Sequence, residues 1–114
     1  MALELEIIEQ PPPTAANRFE PRFVKVRRKI RELRDVITFE IEHHPGVPRW
    51  VPGQFNMLYL FGAGEVAISI SGDPARTGLL THTIRSVGAV TAPLCAIRPG
   101  ATLGVRGPFG RGWP

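Results

Sequence analysis

From Phe23 onward the chain is written largely in a period of two. "FVKVRRKI", residues 23–30, alternates apolar and cationic side chains, the pattern of a strand with one face in a core and one in water. "ELRD" reads as a turn. "VITFEIEHH" then resumes the alternation, with Val36, Thr38, Glu40 and Glu42 on one face and Ile37, Phe39 and Ile41 on the other. The two runs predict an antiparallel hairpin.

The rest of the chain repeats the theme in short pieces. "PGVPRWVPGQ" is a proline-rich loop, "FNMLYLF" a third strand, "GAGE" a turn, and "VAISIS" a fourth strand rich in β-branched residues. "GDPARTG" turns the chain into a fifth strand, "LLTHTIRSV". "APLCAI" has the length and composition for a helical turn or two, "RPG" is a turn, "ATLGVRG" a sixth strand and "PFGRGWP" a Gly/Pro tail. Six short strands with one small helical insert before the last predict an all-β fold, a six-stranded antiparallel Greek-key barrel. Closure removes the exposed sheet edges that a small protein tolerates poorly. "PPPTAAN" cannot join a ladder, because proline lacks the donor. Residues 1–21 are therefore expected to form a flexible N-terminal arm and residues 22–114 the domain.

Composition narrows the class. The 114 residues suffice for one domain, and 43% hydrophobic content argues against disorder throughout. Cys95 is the only cysteine, which excludes an internal disulfide and any iron–sulfur or zinc site built on several thiolates of this chain. In "APLCAI" it reads as a buried small hydrophobe. No apolar run is long enough to span a bilayer, and "MALELEIIEQPPP" lacks the basic flank of a signal peptide, so the expected compartment is the cytoplasm.

Net charge is +4, and eight of the fourteen Lys and Arg residues lie between Arg18 and Arg34. That run could be a footprint for nucleic acid or for an acidic partner. No aromatic residues are interleaved to stack on bases, so the exposed face of an edge strand is the favoured reading and nucleic acid is disfavoured. His43 and His44 are adjacent on a strand and point to opposite faces, which prevents both from binding one metal. No metal site is expected.

"VGAVTAPL", residues 87–94, opens the helical insert. Gly88 permits a sharp turn and close approach of the backbone to a ligand. Free N–H groups at a helix start attract anions, and the Thr91 hydroxyl can add a hydrogen bond or cap the helix. A cap without a ligand explains the same residues.

The order of four short motifs changes that balance. "PGQF" precedes strand three, "AISIS" forms strand four, "HTIRSVGAVT" joins strand five to the insert, and "RPGATLGVRGPFG" closes the chain. This series resembles the flavin-binding barrel of the ferredoxin–NADP reductase superfamily. Within it, the chain looks most like the diaphorase-like gamma subunits of nickel–iron hydrogenase and sulfhydrogenase, and their relatives in anaerobic sulfite reductase and dihydroorotate dehydrogenase. The resemblance covers Phe23 to Pro114. It implies a flavin, FAD with FMN left open, in the cofactor domain of an electron-transfer subunit working between NAD(P)H and other subunits of a redox complex.

The resemblance also implies roles for residues. The family's arginine, any residue, tyrosine, then serine or threonine is here Val66, Ala67, Ile68 and Ser69, so the cation near the flavin phosphates is missing. Ser69 would face the flavin ring, with Ile68, Thr83 and Ile84 lining it. Arg85 or Arg76 would supply the cation, and Gly88 and Thr91 would hold the phosphates. A nicotinamide-binding α/β domain and a [2Fe–2S] cysteine cluster follow the barrel in the gamma subunits. This chain ends at "GRGWP", so it reads as a fragment not expected to turn over alone. Two rivals compete with this reading: a nucleic-acid-binding barrel using the basic strand at residues 22–34, and a cofactor-free docking module.

Overall fold

A computed structural model describes residues 18–43 and 49–113. Six strands and one helix follow one another: β1 (Arg22–Leu33), β2 (Val36–Glu42), β3 (Phe55–Leu60), β4 (Gly64–Ser71), β5 (Leu79–Arg85), α1 (Thr91–Ala96) and β6 (Thr102–Phe109). All pairings are antiparallel, and the strands close in the order β1-β2-β5-β4-β3-β6. The expected Greek-key barrel with a short helix before its last strand is what the chain forms.

Beyond one- or two-residue shifts at the ends of β3 and β5, three differences from the expected strand limits have a cause in the ladder. β1 runs on through Arg31–Leu33, and only Arg34 and Asp35 make the turn, because Leu33 pairs directly with Val36. β4 starts at Gly64 rather than Val66, since Gly64 and Glu65 already pair with Leu60 and Tyr59. β6 continues past Gly107 through Pro108 to Phe109, two residues into the expected tail. The register slips there, with Met57 facing Arg106 and Phe55 facing Phe109, and an irregular ladder is where a strand accommodates proline.

β1 serves two partners. Arg22–Lys25 pair with β6, and Val26–Leu33 pair with β2, with a bulge between Val26 and Arg28 at the changeover. The cationic distal half of this strand is exposed apart from Lys29 and Ile30, as expected of an edge guarded by charge. Of the expected N-terminal arm, residues 1–17 lie outside the described residues. The Arg18 carbonyl accepts a hydrogen bond from Gly107 N–H at 2.9 Å and the Phe19 ring lies 5.5 Å from that of Phe109, so residues 18 and 19 sit against β6.

Inward-facing side chains fill the cylinder: Val24 and Val26 from β1, Ile37, Phe39 and Ile41 from β2, Leu58, Ile70, Leu80, Ile84, Leu103 and Val105 from the others. Leu94 and Cys95 from α1 join this core. Cys95 is buried as expected, its thiol donating weakly to Ile84 O, and burial raises its pKa. Two polar residues share the apolar interior, Asn56 and His82, both 0% exposed.

Candidate functional site

The barrel wall is weakest between β4 and β5. Their ladder holds only Ile70↔His82 and Ser71↔Thr81, while β4 pairs with β3 from Phe55↔Ser69 to Leu60↔Gly64, and β5 with β2 from Val36↔Arg85 to Glu42↔Leu79. Above the last pair the strands part, leaving residues 65–69 of β4 opposite residues 83–85 of β5 across a window. The far end of the window is closed by the loop before α1. A Cβ on Gly64 would lie 3.3 Å from Val90 Cγ2, so the absent side chain lets the loop come against the start of β4.

Backbone alternation fixes what the window presents. Ile70 N–H donates to Gln54 O on the β3 side, so the backbone groups of Ser69, one residue away, face β5. The same side holds those of Ala67. Ser71 likewise faces β5, where it meets Thr81, so Thr83 and Arg85 turn their backbone groups back towards β4. Beyond Ile70↔His82 no further residue pair joins the two strands.

The side chains around it have three dispositions. Ser69 and Thr83 are exposed on the outer face, with the Thr83 hydroxyl 2.8 Å from that of Thr38, whereas Ile68 and Val66, in phase with the inward Ile70, are half-buried and pack against the core. Ile84 is not a lining side chain. It points into the core and is 1% exposed, because β-strand alternation puts it on the opposite face from Thr83. Arg85 is exposed at the rim. Arg76 is already engaged: its Nη1 donates to Glu40 at 2.8 Å, a bond that lowers the Glu40 pKa and raises its own.

The loop before α1 also departs from expectation. Thr91 Oγ1 accepts both the Val87 N–H at 3.0 Å and the Gly88 N–H at 2.9 Å, and Thr91 is 9% exposed. Its oxygen thus braces the turn through both lone pairs, and the Gly88 amide is not bare. Thr91 is the first helical residue, and the N-cap, Val90, has no side-chain cap. The amides of Ala89, Val90 and Thr91 find no acceptor among the described residues, one to three positions beyond the glycine singled out.

Beneath the window lies a polar pair that sequence reading missed. His82 Nδ1 is 3.0 Å from Ser69 O, and its Nε2 is 3.3 Å from Asn56 Nδ2. A carbonyl only accepts, so Nδ1 carries the proton and Nε2 accepts from Asn56. Burial pushes the His82 pKa from 6.5 down to about 4, outweighing its bonds to backbone, so the ring is neutral. The available signal was a phase: His82 falls between Leu80 and Ile84, and Asn56 one step before Leu58, both on the inward face of their strands.

The basic strand is elsewhere on the molecule. Arg27 is paired with Glu42, whose other oxygen accepts the Lys25 N–H. Lys29, Arg31, Arg34 and Arg98 line a groove of about 410 Å³ between the hairpin tip and α1. Among the described residues there is no cluster of three or more His, Cys, Asp or Glu side chains placed to hold a metal ion, and no helix long and apolar enough to cross a membrane. His44 lies outside the described residues.

Comparison with known proteins agrees with this architecture. The barrel is of the ferredoxin–NADP reductase type: it superposes on a solved NADH-dependent reduced ferredoxin–NADP oxidoreductase, studied for flavin-based electron bifurcation, with a TM-score of 0.69 and 28% identity over 80% of this chain and 34% of that one. The chain is a homologue of sulfhydrogenase gamma and dihydroorotate dehydrogenase electron-transfer subunits. It is 39% identical over 87 residues to sulfhydrogenase 1 subunit gamma of Pyrococcus furiosus, covering 75% of this chain and 30% of the relative. It is 31% identical over 96 residues to a probable dihydroorotate dehydrogenase B (NAD(+)) electron transfer subunit of Methanocella arvoryzae, covering 82% and 33%. The chain thus spans about a third of the length of these curated relatives. No protein-family model matches it.

Proposed function

We propose that the barrel is the flavin-binding domain of an electron-transfer oxidoreductase subunit, with the flavin seated over the window between β4 and β5. The observation that carries this reading is the parting of the two strands. A planar ring with hydrogen-bonding edges needs an apolar surface framed by polar groups, and the gap beyond Ile70↔His82 offers room for both. The partly exposed edges of Val66 and Ile68, which otherwise pack against the core, are the apolar contacts. The backbone edges of Ala67, Ser69, Thr83 and Arg85, with the Ser69 hydroxyl, are the polar ones.

The phosphate end of the cofactor would meet the amides of Ala89, Val90 and Thr91, with Arg85 as the nearby cation in place of the family's arginine. Gly88 and Thr91 act through shape: together they hold the turn that aims those amides. When bound, a flavin accepts and passes on electrons one or two at a time, and the protein tunes it by hydrogen bonds at its reactive edge. The residues of this chain bind, orient and shield. Homology to electron-transfer subunits supports a role between a nicotinamide nucleotide and the other subunits of a redox complex.

FAD is the proposed cofactor, because the loop amides and Arg85 offer more contacts than one phosphate requires. Titration of the purified chain with FAD and with FMN, following quenching of flavin fluorescence, tests the assignment. Saturable quenching that is tighter for FAD is expected. No quenching by either cofactor at tens of micromolar protein would overturn it.

A further inference from the structure

We propose that His82 is a positioning residue for the reactive edge of the flavin, acting from inside the barrel through the backbone of Ser69. The inference rests on the flavin reading above. Its basis is where the β4–β5 ladder stops. Ile70↔His82 is the last pair on the window side. The next carbonyl on β4 that faces β5 is that of Ser69, and no residue pair forms there. In place of a ladder N–H, that carbonyl is held by the imidazole Nδ1–H of His82 at 3.0 Å. A side chain has replaced a missing backbone bond at the residue that the flavin reading puts against the ring.

The imidazole is itself held. Its Nε2 accepts from Asn56 Nδ2 at 3.3 Å. Asn56 is 0% exposed, and its Oδ1 has no partner among the described residues, a cost that a merely space-filling residue would not incur. Gly107 keeps this arrangement in place, because a Cβ there would collide with Asn56 Oδ1. The chain Asn56–His82–Ser69 therefore runs from the β3 wall through the core to the window rim, with every link from a buried group. What it sets is the direction of the Ser69–Ile70 peptide, and with it the placement of the Ser69 hydroxyl that the ring edge would meet. A ring proton fixed on Nδ1 is a requirement of this arrangement, and the neutral state imposed by burial is consistent with it.

Two substitutions separate positioning from packing. The amide of Asn places a donor where the imidazole has Nδ1, and that of Gln reaches to where it has Nε2. H82N keeps the link to Ser69 and drops the link to Asn56, whereas H82Q does the reverse. Both should lose stability. In H82Q the ratio of affinities for oxidised and reduced flavin should change by roughly three- to tenfold, the value of one hydrogen bond, while H82N stays within twofold of wild type. At tenfold this is about 30 mV in the two-electron potential. Equal ratios in H82Q, H82N and wild type would overturn the proposal while leaving the flavin reading intact. No flavin uptake by wild type would overturn the flavin reading, and the proposal with it.

Should either variant fail to fold, nitrogen NMR of the wild-type imidazole decides between the two outcomes. The Nδ1 resonance of His82 should be that of a protonated nitrogen in the free protein and should move on addition of FAD and again on its reduction. A resonance that stays fixed through both steps would overturn the proposal.

Discussion

Thr91 and Gly88 are joined by a hydrogen bond of 2.9 Å in which the threonine hydroxyl accepts the glycine amide, and the same oxygen takes the Val87 amide at 3.0 Å. Two residues that suggest a ligand site in the sequence are thus partners of each other. T91V, which keeps the shape and removes the acceptor, should cost about 1–3 kcal/mol in urea unfolding, because two backbone donors lose their partner. T91S should stay near wild type. If T91V were as stable as wild type, the brace would have no energetic weight.

Ile84 and Thr83 are neighbours with opposite duties. I84A should cost ~2–5 kcal/mol, the usual penalty for emptying a filled core position. T83A lies on the outer face, where loss of its bond to Thr38 should cost on the order of 1 kcal/mol. Denaturant unfolding of the pair checks this, and equal losses would contradict the inward placement of Ile84.

His82 gives stability a pH dependence with a definite sign. Its pKa is about 4 in the fold and 6.5 when the chain is open, so between these values the unfolded state binds the extra proton. The fold is therefore fully favoured above pH 6.5 and loses on the order of 3 kcal/mol as the pH falls to 4. Glu40 and Glu65, whose pKa values are lowered by hydrogen bonds from Arg76 and Arg106, lose their contributions as pH falls from the ordinary carboxylate range through those lowered values. Urea midpoints measured from pH 7 to pH 4 should show a slope for wild type that H82Q reduces, most clearly above the carboxylate range. An unchanged slope in H82Q would contradict the burial of a neutral ring.

Gly107 has φ +133°, and a side chain there would strike Asn56 Oδ1 and approach Phe55 O to 3.2 Å. G107A should cost roughly 2–4 kcal/mol, from backbone strain and displacement of a buried amide together. Thermal or chemical unfolding measures this, and a loss below 1 kcal/mol would mean that Asn56 moves aside freely.

The alternation in "VITFEIEHH" and the β-branched runs carried the fold, because strand period is a local property. "PF" reads from sequence only as a tail, since its place in β6 depends on an irregular register against Phe55 and Met57, which lie far back along the chain. The site was legible as a place and less so as atoms. Ser69, Thr83 and Arg85 sit at the window, but whether Ile84 or Thr83 faced outward needed the strand phase. The amides left without acceptors sit beyond Gly88 because Thr91 turns back onto it. His82 stayed hidden because one inward histidine has no motif. Its partner is Ser69 O, thirteen residues away, at the end of a ladder that no sequence pattern terminates.

Whether β4 and β5 part to seat a flavin is tested most directly by amide NMR of the labelled chain with and without FAD. Perturbations should gather on Ala67, Ser69, Thr83, Arg85 and Ala89–Thr91 and leave the β1–β2 hairpin tip unchanged. Perturbations centred on Arg27–Arg34, or none at saturating cofactor, would contradict a flavin seat in this window.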